Sequence, residues 1–213
     1  MEIKQIQTAI KKAREASRKR KFNQTFDLIV NLKSIDLKKN KVEMFVGLHY
    51  DKGKKTKVCA LVGPELHDQA KEACDHAIVS GDFEKLDKKK IKELAKTYDF
   101  FIAQATIMPK IAQTFGRVFG PLGKMPNPKA GCVVPPTANL KPLYERLQKL
   151  VKVSAPKQPV VQCAIGMENL DDAVIADNYL TIYKALITNL PNRENNIKKG
   201  FIKLTMGPAI GVE

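Results

Sequence analysis

Residues 58–79 read VCALVGPELHDQAKEACDHAIV, and their pattern decides the architecture of the middle of the chain. Val58–Val62 is a continuous apolar run, as in a strand buried on both faces. Gly63-Pro64 ends it, a helix is predicted around 65–74, and Ala77-Ile78-Val79 is a second short apolar run. The alternation continues through a lysine-rich helix from Leu86 to Tyr98, with Leu86, Ile91, Leu94 and Ala95 inward, and a buried strand at Phe100–Ala103. Ile107–Phe119 reads as a helix, with Pro109 near its start, where proline is tolerated. Strand and helix in alternation predict a small parallel, doubly wound α/β sheet in three layers. A loop rich in Gly and Pro is expected over 120–136, then a helix over 140–150, with a short strand suggested by Val151 and Val153.

Toward the N-terminus the pattern differs. Ile3, Ile6, Ile10 and Ala13 step by three and four, which marks an amphipathic helix ending in Arg18-Lys19-Arg20-Lys21. Phe26, Leu28, Val30 and Leu32 alternate with other residues, as do Val42, Met44, Val46 and Leu48. The two read as an antiparallel pair joined around Lys38, Lys39 and Asn40. Toward the C-terminus, residues 154–159 look like a linker, Val160–Ile165 a strand, Leu170–Leu190 a long helix and Phe201–Thr205 a last strand. The terminal pieces are α+β in character, and neither has enough strands to close a core alone. The prediction is therefore two domains. A discontinuous α+β outer domain spans 1–56 plus 155–213, and an inserted α/β domain spans 57–154, with hinges near Lys57 and Ser154.

The chain has 213 residues, with 37 Lys and Arg against 22 Asp and Glu, a net charge of +15. Such an excess points to a polyanionic partner, because each neutralised phosphate releases counterions. No apolar run approaches the ~20 residues needed to span a bilayer, and no secretory signal opens the chain, so no membrane partner and a cytoplasmic location are expected. Cys59, Cys74, Cys132 and Cys163 are widely spaced without a CxxC pair. They read as reduced, mostly buried small hydrophobes rather than disulfides or zinc ligands.

Several motifs bear on chemistry. Residues 116–124, GRVFGPLGK, invite a phosphate-loop reading. Val118 occupies the first glycine position, Met125 replaces the hydroxyl, and Pro126 blocks the required helix. The first two glycines are also four apart, which fails the dinucleotide fingerprint. His67, Cys74 and His76 lack a fourth ligand and tight spacing, so no metal site is expected. Asp171-Asp172 is read as complementing a helix dipole and capping its amides. Lys88, Lys89, Lys90, Lys92 and Lys96 form a basic helix face, ordinarily just solvated. No cofactor, metal or catalytic residue is expected. An enzyme built on the inserted domain would rest on fold analogy alone.

The informative residues sit at strand ends of the outer domain. Arg20 and Lys21 precede Phe22 and Thr25, and Lys203 precedes Thr205-Met206-Gly207-Pro208. Strand parity puts Lys203 with Thr205 on one face, and Ile202, Leu204 and Met206 on the other. Cations hold phosphates, hydroxyls meet ribose oxygens, and apolar groups pack on exposed bases. Gly207, lacking a Cβ, would let a nucleic-acid backbone approach, or serve only a turn.

Residues 119–129, FGPLGKMPNPK, resemble the signature of the large-subunit ribosomal protein L1 family, and so does Lys203-Leu204-Thr205-Met206-Gly207-Pro208. Lys21-Phe22-x-x-Thr25 and Asp99-Phe100-Phe101-Ile102-Ala103 are similar to the family's too, so the resemblance covers essentially the full length, in an archaeal type. It implies an outer domain made by both termini and an inserted Rossmann-like domain. It also implies binding to the mobile lateral stalk of large-subunit rRNA, near the exit site for deacylated tRNA. The implied protein acts as a monomer in the cytoplasmic ribosome, is no enzyme, and represses translation by binding its own mRNA leader. By matching motif the RNA surface includes Lys21, Phe22, Thr25, Thr205, Met206 and Gly207; charge and strand parity add Arg20 and Lys203. Gly120, Gly123, Lys124 and Lys129 form a candidate secondary contact loop. Leu122 stands where the family usually has an arginine, which counts against a contact through that side chain.

Overall fold

The computed structural model describes residues 3–37, 40, 42–156 and 158–212. Lys38 and Lys39 of the expected connection, and Lys157 of the expected linker, lie outside the described residues. The chain forms two compact units, one from Met1–Lys54 with Lys149–Glu213, the other from Lys55–Gln148. In the first unit run α1 (Ile3–Ala16), β1 (Thr25–Leu32) and β2 (Val42–Gly47). The second holds β3 (Val58–Val62), α2 (His67–Ala73), β4 (His76–Val79), α3 (Lys88–Thr97), β5 (Phe100–Gln104), α4 (Met108–Leu122), β6 (Val133–Val134) and α5 (Leu140–Gln148). The chain then returns to the first unit through β7 (Leu150–Ala155), β8 (Val160–Met167), α6 (Asp172–Asn189), β9 (Ile197–Leu204) and β10 (Ile210–Val212).

In the first unit an antiparallel sheet has the order β10-β9-β1-β8. One face is buried because β1 alternates strictly, with Phe26, Leu28, Val30 and Leu32 inward. Ile6, Ile10 and Ala13 of α1 and Ile175, Tyr179, Ile182 and Leu186 of α6 complete that core. At roughly 1.5–3 kcal/mol per buried large apolar side chain, these contacts far outweigh the capping and ion-pair terms at the edges. Ile3, expected on the same stripe, is exposed, and Ala9 takes the stripe instead.

Strand pairing departs from the expected β1–β2 hairpin. Both edges of β1 are occupied, by β8 and β9, and β2 pairs antiparallel with β7. Alternation reveals which face of a strand is buried but not its neighbour. The pairing also puts Ser154 and Ala155, read as linker, inside a strand of the first unit, so the second crossing falls before Leu150 rather than at Ser154. β9 begins at Ile197, earlier than expected, and β10 was not foreseen.

The second unit has the expected parallel sheet, in the order β4-β3-β5-β6. Cys59, Leu61, Phe101 and Ala103 pack against Ile91, Ile111, Phe115 and Phe119 of α3 and α4 on one face. β3 is buried at all five positions, as a strand covered on both faces must be. The Gly-Pro loop is more ordered than expected. α4 continues to Leu122, with Pro121 in its last turn, and Gly123 ends it in the left-handed region at φ +62°. Burial pushes the Cys59 and Cys163 thiols up to about 12, so they remain protonated small hydrophobes.

Candidate nucleic-acid interface

β1 starts and β9 ends at the same edge of the first unit. The Thr205 amide donates to the Thr25 carbonyl at 3.0 Å, and the Thr25 amide donates to Thr205 Oγ1 at 3.1 Å. Phe26 faces Leu204 across the ladder, and Asp27 faces Lys203. The structure thus brings Thr25, Lys203, Thr205, Met206 and Gly207 into one seam, with Thr205 and Met206 exposed. Arg20, Lys21 and Phe22 lie exposed on the segment leading into β1, and neither cation has an ion-pair partner among the described residues.

Two expectations change here. β9 ends at Leu204, and the Gly207 amide closes a turn onto the Leu204 carbonyl at 2.9 Å. That turn swings Met206 out of the buried register of Ile202 and Leu204, to 59% exposure. A Cβ added to Gly207 would lie 3.4 Å from Leu204 and Ser17, an ordinary contact within the protein. Neither packing nor a left-handed backbone therefore calls for glycine at this turn.

Sequence reading missed the residues beneath the seam. Gln24 is fully buried; its Oε1 accepts from the Met206 amide at 3.1 Å, and its Nε2 donates to Ser17 Oγ at 3.2 Å. Its backbone is bound on both sides by Glu168. A glutamine beside a basic run gave no signal of this. Arg14 was hidden among the cations of α1. Its guanidinium binds Asp172 Oδ1 and the carbonyls of Glu168 and Leu170, and lies 5.1 Å above the Phe26 ring. Asp172 thus serves an ion pair, and Asp171, at the N-cap of α6, makes no side-chain capping bond. The face of the sheet away from α1 and α6 carries Asp27, Ile29, Phe201 and Lys203, all part-exposed. Burial pushes the Asp27 carboxyl up, and Lys203 opposes the shift.

The secondary loop lies in the second unit, and its residues differ in role. Lys124 Nζ donates to the Tyr98 and Asp99 carbonyls at 2.9 and 3.2 Å, so its charge clamps the end of α3 to the loop. Gly123 is the left-handed cap of α4. Gly120 and Lys129 are exposed. A nucleotide in a doubly wound sheet would sit beyond the carboxyl ends of β3 and β5, where the strand order reverses. The buried Gln104 fills that place, and its Oε1 takes the Gly63 amide at 2.8 Å that a phosphate would need.

The family described as ribosomal protein L1p/L10e matches residues 10–208. This chain belongs to that family. Among its relatives, large ribosomal subunit protein uL1 of Nanoarchaeum equitans is 42% identical over 207 residues, covering 95% of this chain and 97% of that protein. The protein of that name from Thermococcus kodakarensis is 40% identical, covering 96% and 95%. That from Methanocaldococcus jannaschii is 37% identical, covering 100% and 97%. The L1p/L10e match includes both halves of the seam and the whole second unit. The resemblance read from the sequence motifs is met. No helix among the described residues is long and apolar enough to cross a membrane.

Proposed function

We propose that this chain is a structural, non-catalytic component of the large ribosomal subunit. It binds the mobile lateral stalk of large-subunit rRNA through the Thr25–Thr205 seam, and assists release of deacylated tRNA from the exit site. The observation that carries the reading is the seam itself. Phe22 and Met206 are 53% and 59% exposed beside Arg20, Lys21 and Lys203, on a chain of net charge +15. Exposed apolar side chains are costly to hold in water, and cations around them suit RNA, whose unstacked bases need apolar platforms and whose phosphates need charge. The names of the relatives support the same assignment.

Helical RNA hides its major groove, so the seam reads shape and ribose hydroxyls rather than base sequence. An mRNA leader folded like the rRNA site would occupy the same seam, which is the basis for repression of the chain's own translation. The protein would act as a monomer in the ribosome, in the cytoplasm. Crosslinking in cells followed by identification of the bound RNA tests the reading. Recovery of lateral-stalk rRNA is expected, with the leader and exit-site tRNA as lesser products. Recovery of RNA without stalk sequences overturns it.

A further inference from the structure

We propose that Gln24 is the positioning residue of the RNA seam. Without touching RNA itself, it ties the basic segment before β1 to the Thr205–Gly207 turn and so fixes where Met206 is presented. The inference rests on the reading of the seam as the RNA surface.

Three irregular segments meet on this one side chain and its backbone. The first is the end of α1, where Gln24 Nε2 donates to Ser17 Oγ at 3.2 Å and the Arg18 carbonyl at 3.5 Å. The second is the turn after β9, where Gln24 Oε1 accepts from the Met206 amide. The third is the loop after β8, where the Glu168 amide donates to the Gln24 carbonyl at 2.8 Å and Glu168 Oε2 accepts the Gln24 amide at 3.3 Å. None of these segments lies inside a strand ladder there. The orientation of the amide follows from its partners, since a backbone N–H needs an acceptor and a carbonyl needs a donor.

An apolar side chain of similar volume would fill the space but leave the Met206 amide and the Arg18 carbonyl without this partner. What the amide adds is direction. In the turn, the Thr205 amide binds the Thr25 carbonyl and the Gly207 amide binds the Leu204 carbonyl. Met206 is the turn residue whose amide is held by a side chain. A methionine has three rotatable bonds and little preference of its own, so an exposed one is placed chiefly by its backbone. Gln24 provides that anchor from below, and through the Arg18 carbonyl it sets the start of the basic segment as well. The surface is then organised before RNA arrives, which lowers the ordering cost of binding.

The test measures binding of a transcript of the large-subunit rRNA stalk, with polyuridine as the non-specific probe. Wild type, Gln24→Leu, Met206→Ala and the double variant are compared. Gln24→Leu is expected to weaken stalk binding about tenfold, with polyuridine affinity and salt dependence unchanged. Most of that loss should vanish in the Met206→Ala background, because coupled residues are non-additive. Ser17→Ala, which removes one partner of the same amide and leaves the core intact, should give a smaller loss of the same kind even where Gln24→Leu does not fold. An equal loss for both RNAs, or an equal loss with and without Met206, overturns the role of Gln24 alone. A wild-type protein with no preference for the stalk over polyuridine overturns the reading of the seam and the role with it.

Discussion

Thr205 and Thr25 stand 180 residues apart in sequence and share three hydrogen bonds at the seam. The Thr205 amide and hydroxyl both donate to the Thr25 carbonyl, and the Thr205 hydroxyl oxygen accepts the Thr25 amide. The hydroxyl proton is therefore committed inside the protein. Toward an RNA held at the proposed seam, Thr205 could only accept, and a ribose 2′-OH would be the donor.

Thr205→Ser keeps all of these bonds and should bind stalk rRNA like the wild type. Thr205→Val removes the acceptor and should cost about 1–3 kcal/mol of binding free energy. Titrations of both variants against one transcript check this. Equal affinities for Ser and Val would place the RNA contact elsewhere.

Lys21 and Lys203 should contribute through charge. Replacing either by alanine should weaken binding to all RNAs similarly and lower the slope of log K against log salt by about 1. The measurement is affinity over a series of salt concentrations. An unchanged slope would mean that neither lysine meets a phosphate.

Arg14, on α1, is also a cation of the first unit but should behave in the opposite way. Its fork reaches Asp172 and two carbonyls, with Phe26 beneath, a geometry that lysine cannot reproduce. Arg14→Lys should cost about 1–3 kcal/mol of stability, read by denaturant unfolding, and leave the salt slope of RNA binding intact.

That contrast marks how far the sequence could be read. The run Val58–Val62 announced its burial because every position is apolar, and the parallel sheet followed from it. The alternation in β1 likewise announced its inner face. Partners were not announced, and β2 went to β7 because β8 and β9 filled both edges of β1. At the seam, residue types suggested Lys21, Phe22, Thr25 and Thr205. Gln24 and Arg14 were silent because their roles depend on Met206, Glu168 and Asp172, which lie more than a hundred residues away. Met206 was given to the wrong face because parity persists only while a strand does, and this one ends at Leu204.

In the second unit, Lys124 and Lys129 separate structure from surface. Lys124→Ala frees the Tyr98 and Asp99 carbonyls and should destabilise that unit by about 1–2 kcal/mol, without changing the salt slope of RNA binding. Lys129→Ala should leave stability unchanged, and it lowers the salt slope only where this loop meets RNA. Thermal melts and salt titrations of the two variants decide between these roles.

Asp27 should make the stability of the first unit depend on acid. Partial burial on the open face of the sheet pushes its carboxyl above the ordinary 3.8, and Lys203 across the ladder offsets part of the rise. A raised acid favours its protonated form in the folded chain, so folding takes up a proton between 3.8 and the higher value. The stabilising contribution is complete below that window and is lost as pH rises through it. Asp27→Asn copies the protonated shape at every pH. Its melting temperature should therefore exceed that of the wild type at neutral pH, and the two should converge as pH falls below the window. Lys203→Ala removes the offset and should widen the gap that Asp27→Asn opens. Melts recorded from acid to neutral pH provide the check. Parallel curves for wild type and Asp27→Asn would mean that water reaches this carboxylate as freely as it reaches one in the unfolded chain.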